Sequence, residues 1–324
     1  MKMTLMGTGT SHGLPVIGCD CHVCSSPFKK DKRMRCSAYV QQIDSDGTEV
    51  AVLIDVGPEF RLQALATGVK RIDAVLLTHS HADHLHGLDD LRIFSYVKLG
   101  GTRTARDESA QNLKVTESAG GALPVYANTN TIDDVHYRFA YVFGPPKLGG
   151  GMPKLQLVDT DAFSAVHPIT AGSLTIIPIP MLHGTVPTNG YLLSCTEADG
   201  KKHSIAYLTD CSHIPEASLM LIRQHGGVLD HVVIDGLRRK PHATHCSYEE
   251  ALNYAETLAP GNIWLTHLNH DLRHSEIQRF IQKELLPHHP LLQQILANGG
   301  SISPAHDGLI LTTSQHTATG SKLS

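Results

Sequence analysis

The chain has 324 residues, 41% of them hydrophobic, which is ample for a buried core. Its 27 Lys plus Arg against 31 Asp plus Glu give a formal net charge of −4, so the balance implies no broad basic surface of the kind that holds duplex nucleic acid. Met1 to Met6 passes straight into Gly7-Thr8-Gly9 without the apolar run of a signal peptide, and no window offers the roughly 18 continuous apolar residues of a membrane helix; a cytoplasmic protein with no membrane association is expected.

In chain order, Leu5 leads into a glycine-containing loop, Gly7 to Gly13, and then a cysteine loop, Cys19 to Cys24. Ala38 to Ile43 and Val50 to Ile54 read as strands separated by the polar turn Asp44 to Gly47, which predicts a hairpin. Asp55-Val56-Gly57-Pro58 ends the second strand, and Glu59 to Ala66 predicts a short helix. Ala74 to Thr78 is a compact apolar strand that runs directly into His79-Ser80-His81-Ala82-Asp83-His84, after which a helix is expected from His86 to about Tyr96. Residues 98–123, rich in Gly, Thr, Ser and charge, predict an exposed insertion, a lid or a disordered loop. Pro124 to Ala127 returns to strand, Thr131 to Phe139 to helix and Gly144 to Pro153 to loop.

The second half repeats the alternation. Leu174 to Ile179, Gly190 to Ser194, Ser204 to Leu208, Val228 to Ile234 and Ile263 to Thr266 read as strands, with helices beginning near Tyr248 and spanning Ser275 to Leu286. The pattern implies an α/β fold of two mixed sheets packed together with helices outside, in a single domain over residues 1–311 followed by a polar tail over 312–324.

Seven cysteines, an odd number without a secretory signal, argue against a disulfide framework and for metal binding or burial. The 22 histidines fall in groups, and neutral imidazole both coordinates intermediate metals and carries protons near neutral pH. His79, His81, Asp83 and His84 form H-x-H-x-D-H immediately after an apolar strand. That spacing puts several neutral nitrogens and a hard oxygen on one short loop, enough to hold two neighbouring divalent ions. Gly7-x-Gly9 is no dinucleotide fingerprint, because Gly13 falls one position too late, and no G-K-[ST] follows for a phosphate loop.

On the histidine motif the sequence resembles the metallo-β-lactamase superfamily, an αβ/βα sandwich with metals at one sheet edge. The resemblance implies further ligands on later loops: His183 in Pro180-Met181-Leu182-His183-Gly184, Asp210 in Tyr207-Leu208-Thr209-Asp210, and His267 in Leu265-Thr266-His267. His79, His81 and His183 are then expected at one metal, Asp83, His84 and His267 at the other, with Asp210 bridging to reduce repulsion between the cations. Asp55 either sets the tautomer of a ligating imidazole or caps the turn beside Gly57.

Cys19, Cys21 and Cys24, in C-x-C-x2-C spacing, together with His270, three residues beyond His267, can enclose a structural Zn²⁺ tetrahedrally. Such an ion would fasten the amino-terminal loop to the loop carrying His267; buried free thiols or a redox group are the alternative. The two features together look like the cyclic phosphodiesterase branch associated with the carbon-phosphorus lyase pathway, over nearly the whole chain from Gly7-Thr8-Gly9-Thr10-Ser11-His12-Gly13-Leu14-Pro15 to Asp307-Gly308. This resemblance implies hydrolysis of a small cyclic phosphate ester such as 5-phosphoribosyl 1,2-cyclic phosphate, two divalent ions (Mn²⁺ or Zn²⁺) at the active site, a separate structural zinc, and a homodimer. It also selects His245 in Pro241-His242-Ala243-Thr244-His245-Cys246 as the group that protonates the departing oxygen, with His242 as the alternate and Asp210 organising the metal pair. Residues 98–123 and the stretch Glu276 to Asn298 depart from the compact enzymes of the branch, which leaves room for a nucleotide-like ester.

Competing readings on the same scaffold are a nuclease or cyclic nucleotide phosphodiesterase, a lactonase attacking a carbonyl, and a non-catalytic protein that retains its ligand. A nuclease needs a strand-binding groove of aromatic and basic groups, and no stretch of the chain supplies one.

Overall fold

The computed structural model describes residues 1–95, 122–144, 152–197 and 200–313. Residues 98–121 of the expected insertion, 145–151 of the expected loop and 314–324 of the expected tail lie outside the described residues.

The strands of the first half are β1 (Lys2–Gly7), β2 (Ser37–Ile43), β3 (Glu49–Ile54), β4 (Ala74–Leu76), β5 (Leu123–Ala127) and β6 (Leu155–Asp159). Those of the second are β7 (Ile169–Ala171), β8 (Leu174–His183), β9 (Val186–Thr196), β10 (Lys202–Leu208), β11 (Val228–Asp235), β12 (Asn262–Thr266), β13 (Ser301–Pro304) and β14 (Leu309–Thr312). They form two mixed seven-stranded sheets, in the orders β14-β1-β2-β3-β4-β5-β6 and β13-β12-β11-β10-β9-β8-β7. The expected hairpin is β2–β3, antiparallel with Ala38 opposite Ile54. Leu123, placed by the sequence in the insertion, is a buried residue of β5, and Thr312, placed in the tail, pairs with Lys2 on β1 while Thr313 is buried beside Met1.

Period-two alternation explains the layering. Val52 and Ile54 of β3 face Tyr191, Leu193 and Tyr207 of the second sheet, whereas Ala51 and Leu53 turn to the outer helical layer with Leu85, Leu88 and Val135. The opposite outer layer packs Leu192, Leu208 and Ile234 under the helices Glu216–His225, Tyr248–Leu258, His274–Phe280 and Pro290–Ala297. Each such side chain contributes about 1.5–3 kcal/mol by leaving water, so both sheets are committed to this sandwich.

Two helices differ from the expected ones, for local reasons. Instead of running from His86, helix begins inside the histidine motif as Ala82–Leu85, tightens to a 3₁₀ turn at Leu88–Leu91 and resumes at Arg92–Ser95. Gly87 stands where it breaks, and a Cβ there would lie 2.2 Å from the carbonyl oxygen of Gly57. The later helix is regular only over His274–Phe280; it widens at Ile281–Leu285 and ends in a 3₁₀ turn at Leu286–His288, where Pro287 offers no N–H to continue the ladder.

Gly57 and Gly87 together let the end of β3 lie against the histidine loop: Val56 N–H donates to His84 O at 2.8 Å and Gly87 N–H to Val56 O at 2.8 Å. A Cβ on Gly57 would sit 2.1 Å from the Asp83 carbonyl oxygen. Gly57→Ala is therefore expected to cost about 2 kcal/mol or more through forced displacement of that loop. Urea denaturation together with bound-metal analysis checks this; an unchanged midpoint at full metal content would contradict the close approach.

Candidate metal centre

Each candidate group stands where a strand ends. Asp55 follows β3, His79 lies just past β4, His183 closes β8, Asp210 lies just past β10, Asp235 closes β11 and His267 follows β12. β3 and β4 are parallel, as are β10, β11 and β12, so the carboxyl ends gather at one edge of the sandwich, where open α/β sheets form their crevices. Asp55, Asp210 and His267 have φ of 58°, 52° and 56°. Left-handed backbone costs an L-residue about 1–2 kcal/mol, and the packed sheets hold all three in it.

The side chains converge in two groups that share one carboxylate. His79, His81, His183 and Asp210 each bring one ligand-type atom within 4.8 Å of the others, and Asp83, His84, Asp210 and His267 do the same. Asp210 Oδ1 is 3.1 Å from His267 Nε2, while its Oδ2 is 3.2 Å from His84 Nε2 and 3.7 Å from His79 Nε2. The structure thus brings together all seven residues chosen from the sequence, in the expected partition.

The donor set fits bound divalent cations. Nε2 of His79, His84 and His267 are fully buried and make no hydrogen bond, although carboxylate oxygens lie 3.1 to 3.9 Å away. A buried imidazole nitrogen without a partner is costly unless a cation takes its lone pair. The far sides of His79, His84 and His183 are satisfied in the sense that keeps Nε2 bare, whereas His267 Nδ1 has no partner. His84 Nδ1–H donates to Asp55 Oδ2 at 2.7 Å, His79 Nδ1–H to Thr78 Oγ1 at 3.0 Å, and His183 Nδ1–H to the Thr244 carbonyl at 2.6 Å. Asp55 also accepts from the Thr78 N–H at 2.8 Å and the Thr78 hydroxyl at 2.9 Å, so of the two sequence readings it is the tautomer-setting one that the geometry supports.

Electrostatics agree. Burial opposes charge on His84, but the carboxylates of Asp210, Asp83 and Asp55 outweigh it and lift this imidazole well above the ordinary histidine range. Burial and the neighbouring His84 push His79 well below that range, and burial brings His183 down to about 4. Burial also opposes charge on Asp210, yet His267, His84 and His79 hold its carboxyl well below the usual carboxylate range. Carboxylates held ionised at Asp83 and Asp210, beside His79 and His183 imidazoles that resist charge, favour a cation between them.

His245 borders both groups, its ring centroid 4.5 Å from those of His183 and His267. Its Nδ1–H donates to Asp235 Oδ2 at 2.7 Å, and the same oxygen accepts the Cys211 N–H at 3.0 Å. Asp210, Asp235, His245 and His267 form another close group, within which His245 and Asp235 are already hydrogen-bonded to each other. Sequence reasoning missed Asp235 as a functional residue. The available signal was its place at the end of an apolar strand, the same signal that marks Asp210.

Cys19, Cys21, Cys24 and His270 also converge, with Sγ atoms 3.5, 3.6 and 3.5 Å from His270 Nδ1. A tetrahedral zinc with ordinary Zn–S and Zn–N bonds sets sulfur–nitrogen edges of about 3.6 Å. The N–H of Cys24 pulls the Cys21 thiol down to about 6, whereas burial pushes Cys24 up to about 11, so a cation among the sulfurs is what would let the Cys24 thiol ionise as well.

Residues 51–268 match the beta-lactamase superfamily domain. The solved structure of a diphosphatase from the PhnP family is 35% identical, with a TM-score of 0.70 over 97% of this chain and 98% of that one. An octanoyltransferase of Porphyromonas gingivalis is 33% identical over 291 residues, 89% of this chain, and the chain spans 49% of that protein's length. A ribonuclease Z of a Mycobacterium species is 29% identical over 236 residues, covering 67% of this chain and 73% of that one.

Asp55 accepts three donors, and an amide in its place offers one acceptor oxygen and adds an N–H. Asp55→Asn should weaken active-site metal binding by about 10- to 100-fold through His84, with little change in overall fold. Titration of the metal-stripped variant with Mn²⁺, followed calorimetrically, reads this directly; wild-type affinity would show that Asp55 does not hold the His84 tautomer.

Proposed function

Because the chain belongs to the metallo-β-lactamase superfamily, in the branch of the PhnP-family diphosphatase, we propose that this metal-dependent hydrolase is a phosphodiesterase acting on a small cyclic phosphate ester. The observation that carries the reading is the sharing of Asp210 between two ligand groups with His245 alongside. His79, His81 and His183 would hold one divalent ion and Asp83, His84 and His267 the other, with Asp210 available to both groups. Mn²⁺ and Zn²⁺ both suit these ligands. When bound, the pair activates water and neutralises charge on the non-bridging phosphate oxygens. Cys19, Cys21, Cys24 and His270 hold a separate structural Zn²⁺.

The chain's own groups account for the proton. His245 keeps its Nδ1–H on Asp235, so Nε2 is the atom free to exchange one. Burial lowers the proton affinity of His245 and leaves it neutral before substrate arrives. An anionic ester beside Nε2 favours the imidazolium, so His245 takes up the proton released by the attacking water and delivers it to the alkoxide whose bond to phosphorus breaks. Asp210 has imidazoles against both oxygens and so organises the ions instead of acting as a free base. The transferase activity named for the Porphyromonas gingivalis relative stays with that protein, of which the chain spans about half. A homodimer is part of the proposal, and a monomer mass in light scattering would remove it.

Metal-stripped protein should lose hydrolysis of bis(p-nitrophenyl) phosphate and of cyclic phosphates, and regain it with Mn²⁺ or Zn²⁺. His245→Ala should lower kcat by about 10²- to 10³-fold at unchanged metal content. Full activity after verified metal removal, or turnover of lactones with none of phosphate esters, sinks the reading. Elemental analysis after removal of loosely held ions should find about one zinc per chain, and Cys24→Ser should abolish it; retention of that zinc by the variant would dissolve the cysteine assignment.

A further inference from the structure

Residues 238–247 form a loop pinned at both feet beside the metal groups. Leu237 N–H donates to Cys246 O at 2.9 Å and Tyr248 N–H to Arg238 O at 3.0 Å, and the helix that follows opens with a Ser247–Glu250 capping box. Arg238-Arg239-Lys240 puts three cationic side chains on this loop, of which the two arginines are engaged within the protein. Arg238 donates from Nε to Lys240 O at 3.2 Å and from Nη2 to Pro241 O at 3.0 Å, bracing the loop, and Arg239 lies 4.3 Å from the centre of the Phe280 ring.

His242, exposed at the tip of this braced loop, is the group left for recognition. Its ring lies 5.4 Å from that of His245, on the solvent side of the proton-handling pair. Its Nδ1 accepts the Thr244 N–H at 3.3 Å, with the Thr244 hydroxyl 3.2 Å away. A main-chain N–H can only donate, so Nδ1 carries the lone pair and the ring's one donor is Nε2–H. Thr244 also ties His242 to the centre, because its carbonyl accepts His183 Nδ1–H. The mouth beside His245 thus carries a hydrogen-bond donor of fixed tautomer, next to a floor of imidazoles and carboxylates meant for cations.

We propose that His242 is a specificity-determining residue whose Nε2–H binds an oxygen on the leaving-group side of the ester, so that the site prefers esters whose leaving group carries a hydroxyl or a second phosphate over simple aryl esters. The assignment rests on the phosphodiesterase reading. Holding the substrate by its leaving group, next to the residue that protonates that group, restricts the departing oxygen to the neighbourhood of His245 Nε2.

The test compares metal-loaded wild type, His242→Ala and His242→Gln on a nucleoside 2′,3′-cyclic phosphate and on bis(p-nitrophenyl) phosphate, with metal content measured in parallel. His242→Ala should raise KM about tenfold for the cyclic ester and no more than about twofold for the aryl ester, with kcat within about threefold, the pattern of a lost binding hydrogen bond. His242→Gln, whose amide N–H can replace Nε2–H, should return KM for the cyclic ester to within about threefold. Equal effects on both esters, an unchanged KM, or a fall in metal content acting through Thr244 and His183 would overturn the assignment while leaving the phosphodiesterase reading in place. Wild-type enzyme that turns over neither ester would take both down.

Discussion

The constraint on which the sheet edge depends is that imidazole nitrogens must be kept bare inside the protein and pointed at one another's neighbourhood. Burial makes this unfavourable for each ring taken alone, since an unpartnered polar atom forfeits its hydration. For three of the rings the fold meets it by committing the opposite nitrogen: Asp55 and Thr78 for His84 and His79, and the Thr244 carbonyl for His183. The remaining nitrogens then have one economical partner, a cation, and Asp210 sits where a cation on either side can share it. The left-handed backbone at Asp55, Asp210 and His267 is the cost of bringing these side chains in from three different strand ends.

Much of this was legible in the residues because the chemistry is local. H-x-H-x-D-H places four of the groups on one loop, and the hairpin and the parallel strands of the second half announce themselves by apolar runs bounded by turns. What escaped is what depends on contacts distant in sequence. β7, β13 and β14 have three or four residues each, too few to show a period, and they exist because a neighbouring strand offers an edge. The break at Gly87 requires knowing that Gly57 packs against it. Asp235 resembles any strand-end aspartate until His245, ten residues on, folds back to within 2.7 Å of it.

The cysteine cluster and the histidine centre are mechanically one object. His270 follows His267 on the loop after β12, and that loop is gripped by Arg33, fully buried, which donates to Asn269 O at 2.6 Å and Leu272 O at 3.3 Å. The loop is also bridged to the glycine-containing segment, with Leu268 N–H on Thr8 O at 2.9 Å and Thr10 N–H on Leu268 O at 3.2 Å. His267 gains from this what its own ring lacks: neither of its nitrogens has a hydrogen-bond partner, so its position is set by the backbone on either side of it. A tetrahedral ion at His270 and the three cysteines would hold that backbone without offering any open position for chemistry.

The two flanks of the histidine centre are built differently, and the difference bears on whether it stores ions or uses them. On the Asp55 flank every donor is matched and the residues are buried without exposure, which suits a rigid wall. On the His245 flank the ring is half-buried, its Nε2 carries no assigned partner, and Asp235 behind it fixes which nitrogen faces outward. A storage site gains nothing from an imidazole oriented by a carboxylate outside the two ligand groups, whereas a hydrolase needs one group able to change protonation while the ligands stay fixed. On the proposed reading the asymmetry would separate holding from proton transfer across a few ångströms, and it follows from a single structural choice: Asp210 faces the histidines of both ligand groups, and Asp235, one strand over, faces His245.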